Sequence, residues 1–169
     1  MSPFPNLTEE DFQTINGALA DLLITTEAST VMFVEKAGYL IAECGERDAY
    51  NTTELATLGA NAFAATQFMA DRLAETNFSG MVQQGEQRSV LWLNVDENSL
   101  IMVVFNASQS VGAIKYYALN TVKAVADQLN IAKQRDPGGG MDLATLDPTD
   151  VADVFKQRRD PPPDPAPAS

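Results

Sequence analysis

The chain has 169 residues, 45% of them hydrophobic, enough for one domain with a sizeable core. Its 23 acidic and 11 basic residues leave a formal charge of -12 with no basic stripe, which argues against nucleic acid and membrane surfaces as partners. Histidine is absent and Cys44 is the single cysteine, which excludes imidazole catalysis, His-based metal sites, intrachain disulfides and CxxC redox pairs.

The start, MSPFPNLTEEDF, lacks the basic and apolar runs of a secretory signal, and the longest apolar run, Leu100 to Phe105, is too short to cross a bilayer. A cytoplasmic protein is expected. The first helix begins at Thr8, whose hydroxyl caps it, with Glu9, Glu10 and Asp11 at the positive end of the dipole and Leu7 stapled onto Phe12. Phe12, Ile15, Leu19 and Leu22 then form one apolar stripe. Residues 30–35 and 39–44 read as a hairpin turning at Gly38, a position suited to positive φ.

A second helix is expected from about 53 to 75, capped by Asn51 or Thr52 and thin with alanine. Three strands follow, near 80–84, 88–95 and 99–106, and then a last helix over about 108–133. That helix carries Val111, Ile114, Ala118, Val122, Val125 and Leu129 at spacings of three and four. The order is α-β-β-α-β-β-β-α, an α/β (α+β) chain with a five-stranded antiparallel sheet between helices. Val31–Val34 and Leu100–Phe105 are apolar at consecutive positions, so both faces of those strands need cover. The first and last helices share one face; the thin second helix takes the other and leaves room for a second copy of the chain.

Chemistry is scarce. Neither phosphate-loop pattern is present, and the run 138–140 of glycines lies in a linker. The acidic residues fall at a cap and a turn, where solvated carboxylates are ordinary, and Cys44 reads as a structural thiol. No catalytic residue, cofactor site or metal site is expected, and the chain reads as a non-enzyme. The second helix is more informative. Leu55, Leu58, Ala62, Ala65 and Met69 are expected to pack on the sheet, which leaves Ala56, Ala60, Ala64 and Phe68 as an uncharged outer strip. On a surface, such a strip marks a protein contact.

Composition divides the chain into a domain over 1–134, a flexible linker over 135–146, an amphipathic helix over 147–159 and a disordered Pro-rich tail over 160–169. In the short helix Asp147 caps, Pro148 takes the first position, and Val151, Val154 and Phe155 form the stripe. At that length it is marginal alone. It either folds on docking to a partner or packs back on its own domain.

Residues 8–134 resemble the Roadblock/LC7 family. The resemblance rests on LTEEDFQTINGALADLL, VMFVEKAGYLIAECG, NTTELATLGANAFAAT and SLIMVVFNASQSVGAIKYYA. It implies the Roadblock/LC7 fold and, from the bacterial members it resembles, a homodimer joined through an edge strand with paired middle helices. The paired face of such proteins receives one small Ras-like GTPase and accelerates GTP hydrolysis without supplying an arginine. Their C-terminal helix assists nucleotide exchange, and the system sets cell polarity in gliding motility. On this sequence the GTPase-binding positions are Ala60, Ala64, Gln67, Phe68 and Asp71, where Phe68 replaces an expected small residue. The docking helix carries Val151, Val154 and Phe155, and the short polar strand with Gly80, Val82 and Gln84 is the dimer edge. The alternative is a scaffold that binds a GTPase or motor complex without altering hydrolysis.

Overall fold

Thr8 caps α1 (Glu9–Thr26) as expected, and the structure adds a reciprocal bond: its hydroxyl accepts the Asp11 N–H, and the Asp11 carboxylate accepts the Thr8 N–H at 2.7 Å. The computed structural model describes residues 3–135; the linker, the docking helix with Val151, Val154 and Phe155, and the Pro-rich tail lie outside the described residues. After α1 come β1 (Thr30–Glu35), β2 (Leu40–Gly45), α2 (Thr52–Arg72), β3 (Gly80–Gln83), β4 (Arg88–Asn94), β5 (Ser99–Asn106) and α3 (Val111–Arg135). This is the expected order and the Roadblock/LC7 fold.

The five antiparallel strands lie in the order β2-β1-β5-β4-β3. β1 and β5 are central and buried on both sides, as their continuous apolar runs require. Gly38, at φ +101°, makes the hairpin turn, and the register shifts between Phe33 and Val34, so β2 starts at Leu40 rather than Tyr39. α3 starts at Val111 rather than Ser108, because Ser108 bonds back to Asn106 and the Ser110 hydroxyl accepts the Ala113 N–H.

Two apolar layers follow from strand alternation. Val31, Phe33, Leu91, Leu93, Ile101 and Phe105 face the layer of α1 and α3, against Ile15, Leu19, Ile114 and Leu129. Met32, Val34, Trp92, Leu100, Met102 and Val104 face α2, which meets them with Ala56, Ala60 and Phe63. The start of α1 and the end of α3 are tied polarly. Asp11, 1% exposed, accepts both Arg135 guanidinium nitrogens at 2.9 and 2.8 Å and the Gln128 amide at 2.6 Å. Arg135, ahead of the Thr8 and Gln128 bonds, holds that carboxyl well below the usual range despite its burial. Among the described residues no helix is long and apolar enough to cross a membrane.

Candidate functional site: the outer face of helix α2

α2 is pinned at both ends. Asn51 caps it by accepting the Glu54 N–H at 3.0 Å, and the Thr57 hydroxyl donates to the Gly38 carbonyl at 2.9 Å, fixing the first turns to the β1–β2 hairpin. At the far end the Glu75 N–H returns to the Ala70 carbonyl and the Ala74 N–H to that of Asp71. Ala74 is left-handed at φ +57°, which completes a Schellman ending and stops the helix at Arg72.

The helix lies close on the sheet because its inner positions are small. Ala56, Gly59 and Ala60 are buried together with Phe63, whose ring meets that of Phe78 at 5.0 Å between centroids. This corrects the expected faces. Ala56 and Ala60 are inner residues, and Ala60, 2% exposed, does not belong to the outer strip. Of the five residues expected to pack inward, Leu55 is half-buried, whereas Leu58, Ala62, Ala65 and Met69 are exposed. Beneath Gly59 the layer is already filled by the large strand side chains Trp92 and Met102, so Phe63 is the one large side chain that α2 buries fully, beside Gly59 and alanines.

The outer face carries two lanes. Leu58, Ala62, Ala65 and Met69, at steps of four, three and four, run on to Leu73 and form an uncharged apolar lane. Leu58, Met69 and Leu73 are 57, 65 and 79% exposed. Ala64, Gln67, Phe68 and Asp71 form the second lane and line one shallow hollow of about 240 Å³. Four of the five positions assigned to a GTPase are therefore exposed together. Phe68, at 70%, stands out from the lane. Sequence reading missed Leu58, Met69 and Leu73 as surface residues. The signal was present in the uncharged step pattern, but Leu58 and Met69 were assigned to the core and Leu73 was not singled out.

β3 lies at the open edge of the sheet, with Gly80 opposite Leu93 and Val82 opposite Leu91. Val82 is exposed, and Gln84 lies one residue past the strand end. Gly80 is required because a Cβ there would run into the Trp92 carbonyl. The other chemical candidates are ordinary. Cys44 is half-buried and packs against the core, and no cluster of three or more acidic or cysteine side chains among the described residues is placed to hold a metal. Lys36 lies over the Phe63 ring at 5.6 Å, and burial lowers its pKa.

No protein-family model and no curated protein matches the sequence. Solved structures do. The gliding protein mglB from Thermus thermophilus is 26% identical, covering 78% of this chain and 100% of that one, with a TM-score of 0.70. Myxococcus xanthus MglB is 25% identical over 75% of this chain and 96% of that one, also at 0.70. A Roadblock/LC7 domain from Streptomyces avermitilis, 11% identical, covers 68% of this chain and 97% of that one at 0.63, a likeness of fold alone.

Proposed function

The chain has the Roadblock/LC7 fold and resembles MglB in sequence and architecture, and from that premise we propose that it is a homodimeric regulator of a small Ras-like, MglA-type GTPase. It has no catalytic site of its own and acts by accelerating hydrolysis on the bound GTPase, in bacterial cell polarity and gliding motility. The supporting observation is the two-lane outer face of α2. A continuous lane of Leu58, Ala62, Ala65 and Met69 without charge suits permanent burial against a second copy, with β3 pairing at the sheet edge. The mixed lane of Ala64, Gln67, Phe68 and Asp71 suits a partner that comes and goes.

One observation favours a second reading. Phe68 projects where a small residue would let a GTPase backbone approach closely, which fits a scaffold that binds without altering hydrolysis. Light scattering of the free chain should give about twice 18.2 kDa. Single-turnover GTP hydrolysis by the Ras-like GTPase of the same genome, with and without the chain, separates the two readings. Faster turnover supports the regulator, binding with unchanged turnover supports the scaffold, and a monomer overturns the dimeric face.

A further inference from the structure

Phe68 stands between two hollows on the outer face of α2. It shares the hollow of about 240 Å³ with Ala64, Gln67 and Asp71, and a larger one of about 500 Å³ with Met69, Arg72 and Leu73. The ring is thus a ridge on the boundary between the two lanes. An aromatic side chain on a helix leans toward the N-terminus, here over Ala64 and Ala65 of the preceding turn, which offer the ring only methyl groups. No other aromatic ring meets it among the described residues.

Charge and shape restrict what covers this ridge. Asp71 and Arg72, one turn on, put one charge of each sign into the hollows beside the ring, and no described salt bridge involves either. Permanent interfaces exclude charge from their centre, so a ring with such flanks suits a partner that comes and goes rather than the second copy. Shape narrows that partner further. Ala64 and Phe68 lie one turn apart in the same hollow, so the surface steps from a methyl group to a phenyl ring within about 6 Å. A flat partner surface would rest on the ring and never reach Ala64.

We propose that Phe68 is a knob that enters an apolar recess on the GTPase bound to the α2 face, and so selects among GTPases by whether they offer that recess. The assignment rests on the proposed GTPase reading. An aromatic side chain has few torsions to fix and buries a large apolar area, which is why aromatics supply much of the binding energy at the centre of interfaces. A recess on the partner also restores the close approach over Ala64 that the ring denies to a flat surface.

A size series at position 68 of the full chain tests it, with calorimetric affinity for the GTP-loaded Ras-like GTPase of the same genome as the readout. Phe68→Ala should bind about thirtyfold more weakly and Phe68→Leu several-fold more weakly. Phe68→Trp, too large for a phenyl-sized recess, should also bind more weakly than the parent. Thermal midpoints and light-scattering masses should match the parent's, because the side chain is largely exposed. Equal or tighter binding by Phe68→Ala makes the ring an obstruction and overturns the knob. Phe68→Trp binding as tightly as the parent overturns it too, since an open apolar surface and not a recess then receives the ring. A loss of dimer mass in Phe68→Ala places the ring against the second copy and has the same consequence. Each of these results, with Ala64→Arg abolishing binding, leaves the GTPase reading intact. No binding by the parent chain, or full binding by Ala64→Arg, overturns that reading itself.

Discussion

Gly59→Ala and Gly17→Ala are the same change on two helices, and the structure gives them opposite signs. Alanine in place of glycine inside a helix gains roughly 0.5–1 kcal/mol. At Gly17 an added Cβ meets nothing within 4 Å, so α1 keeps that gain. At Gly59 the Cβ would lie 2.5 Å from Trp92 Nε1 and 2.7 Å from both Sδ and Cε of Met102. The Met102 end can swing aside. The Trp92 ring is buried between the helix and the sheet and has less room to move. Overpacking of this kind costs about 1–3 kcal/mol, which at mid-range outweighs the helical gain and leaves a net loss of about 1 kcal/mol, and of about 2.5 kcal/mol at most. Thermal unfolding at one fixed protein concentration should put Gly59→Ala roughly 3–8 °C below the parent and Gly17→Ala a few degrees above it. A Gly59→Ala midpoint at or above that of Gly17→Ala would mean that α2 stands farther from the sheet, and the division of its faces would fall with it.

The alanines of α2 divide in the same way. Ala60→Arg would bury an unpaired cation against the sheet and should cost on the order of 3–5 kcal/mol in a denaturant titration. Ala64→Arg should shift the midpoint by no more than about 0.5 kcal/mol while abolishing partner binding in a pull-down with the GTP-loaded GTPase. Asp11 gives a pH dependence: its folded carboxyl is held below the ordinary 3.8, so its contribution is complete above that value and lost as pH falls beneath it. The urea midpoint of Asp11→Asn should therefore lie below the parent's at pH 6, with the gap narrowing toward pH 2. Removing residues 136–169 should leave a dimer that still speeds hydrolysis but releases GDP from the partner more slowly; equal release would refute the exchange role of Val151, Val154 and Phe155.

Much of the fold was legible because its signals are local. The Thr8 cap, the Gly38 turn and the double-sided runs of β1 and β5 each depend on neighbours within a few residues. The element order followed from them, and so did the placing of α1 and α3 on one face. The helix ends were less legible, because what stops them is distant or conformational. α2 ends on a left-handed alanine, which no residue preference announces, and Ser108 spends its donors on Asn106 instead of opening α3.

The inverted face of α2 is the instructive error. Periodicity finds the stripes on a helix, and size then suggests that leucine and methionine go inward. That rule assumes an empty layer. Here the sheet supplies much of the volume, with Trp92 and Met102 filling the space around Gly59 where a leucine would otherwise have reached, so apart from Phe63 the helix contributes glycine and alanine there. Its large apolar residues are left pointing away from their own domain. A single chain gains nothing from burying small residues inside and exposing Leu58, Phe68, Met69 and Leu73, since the apolar area on that face stays in water. The arrangement becomes favourable once another surface covers it. The small inner residues and the large outer ones are therefore one feature, and it is the feature on which the proposed dimer and GTPase contacts rest.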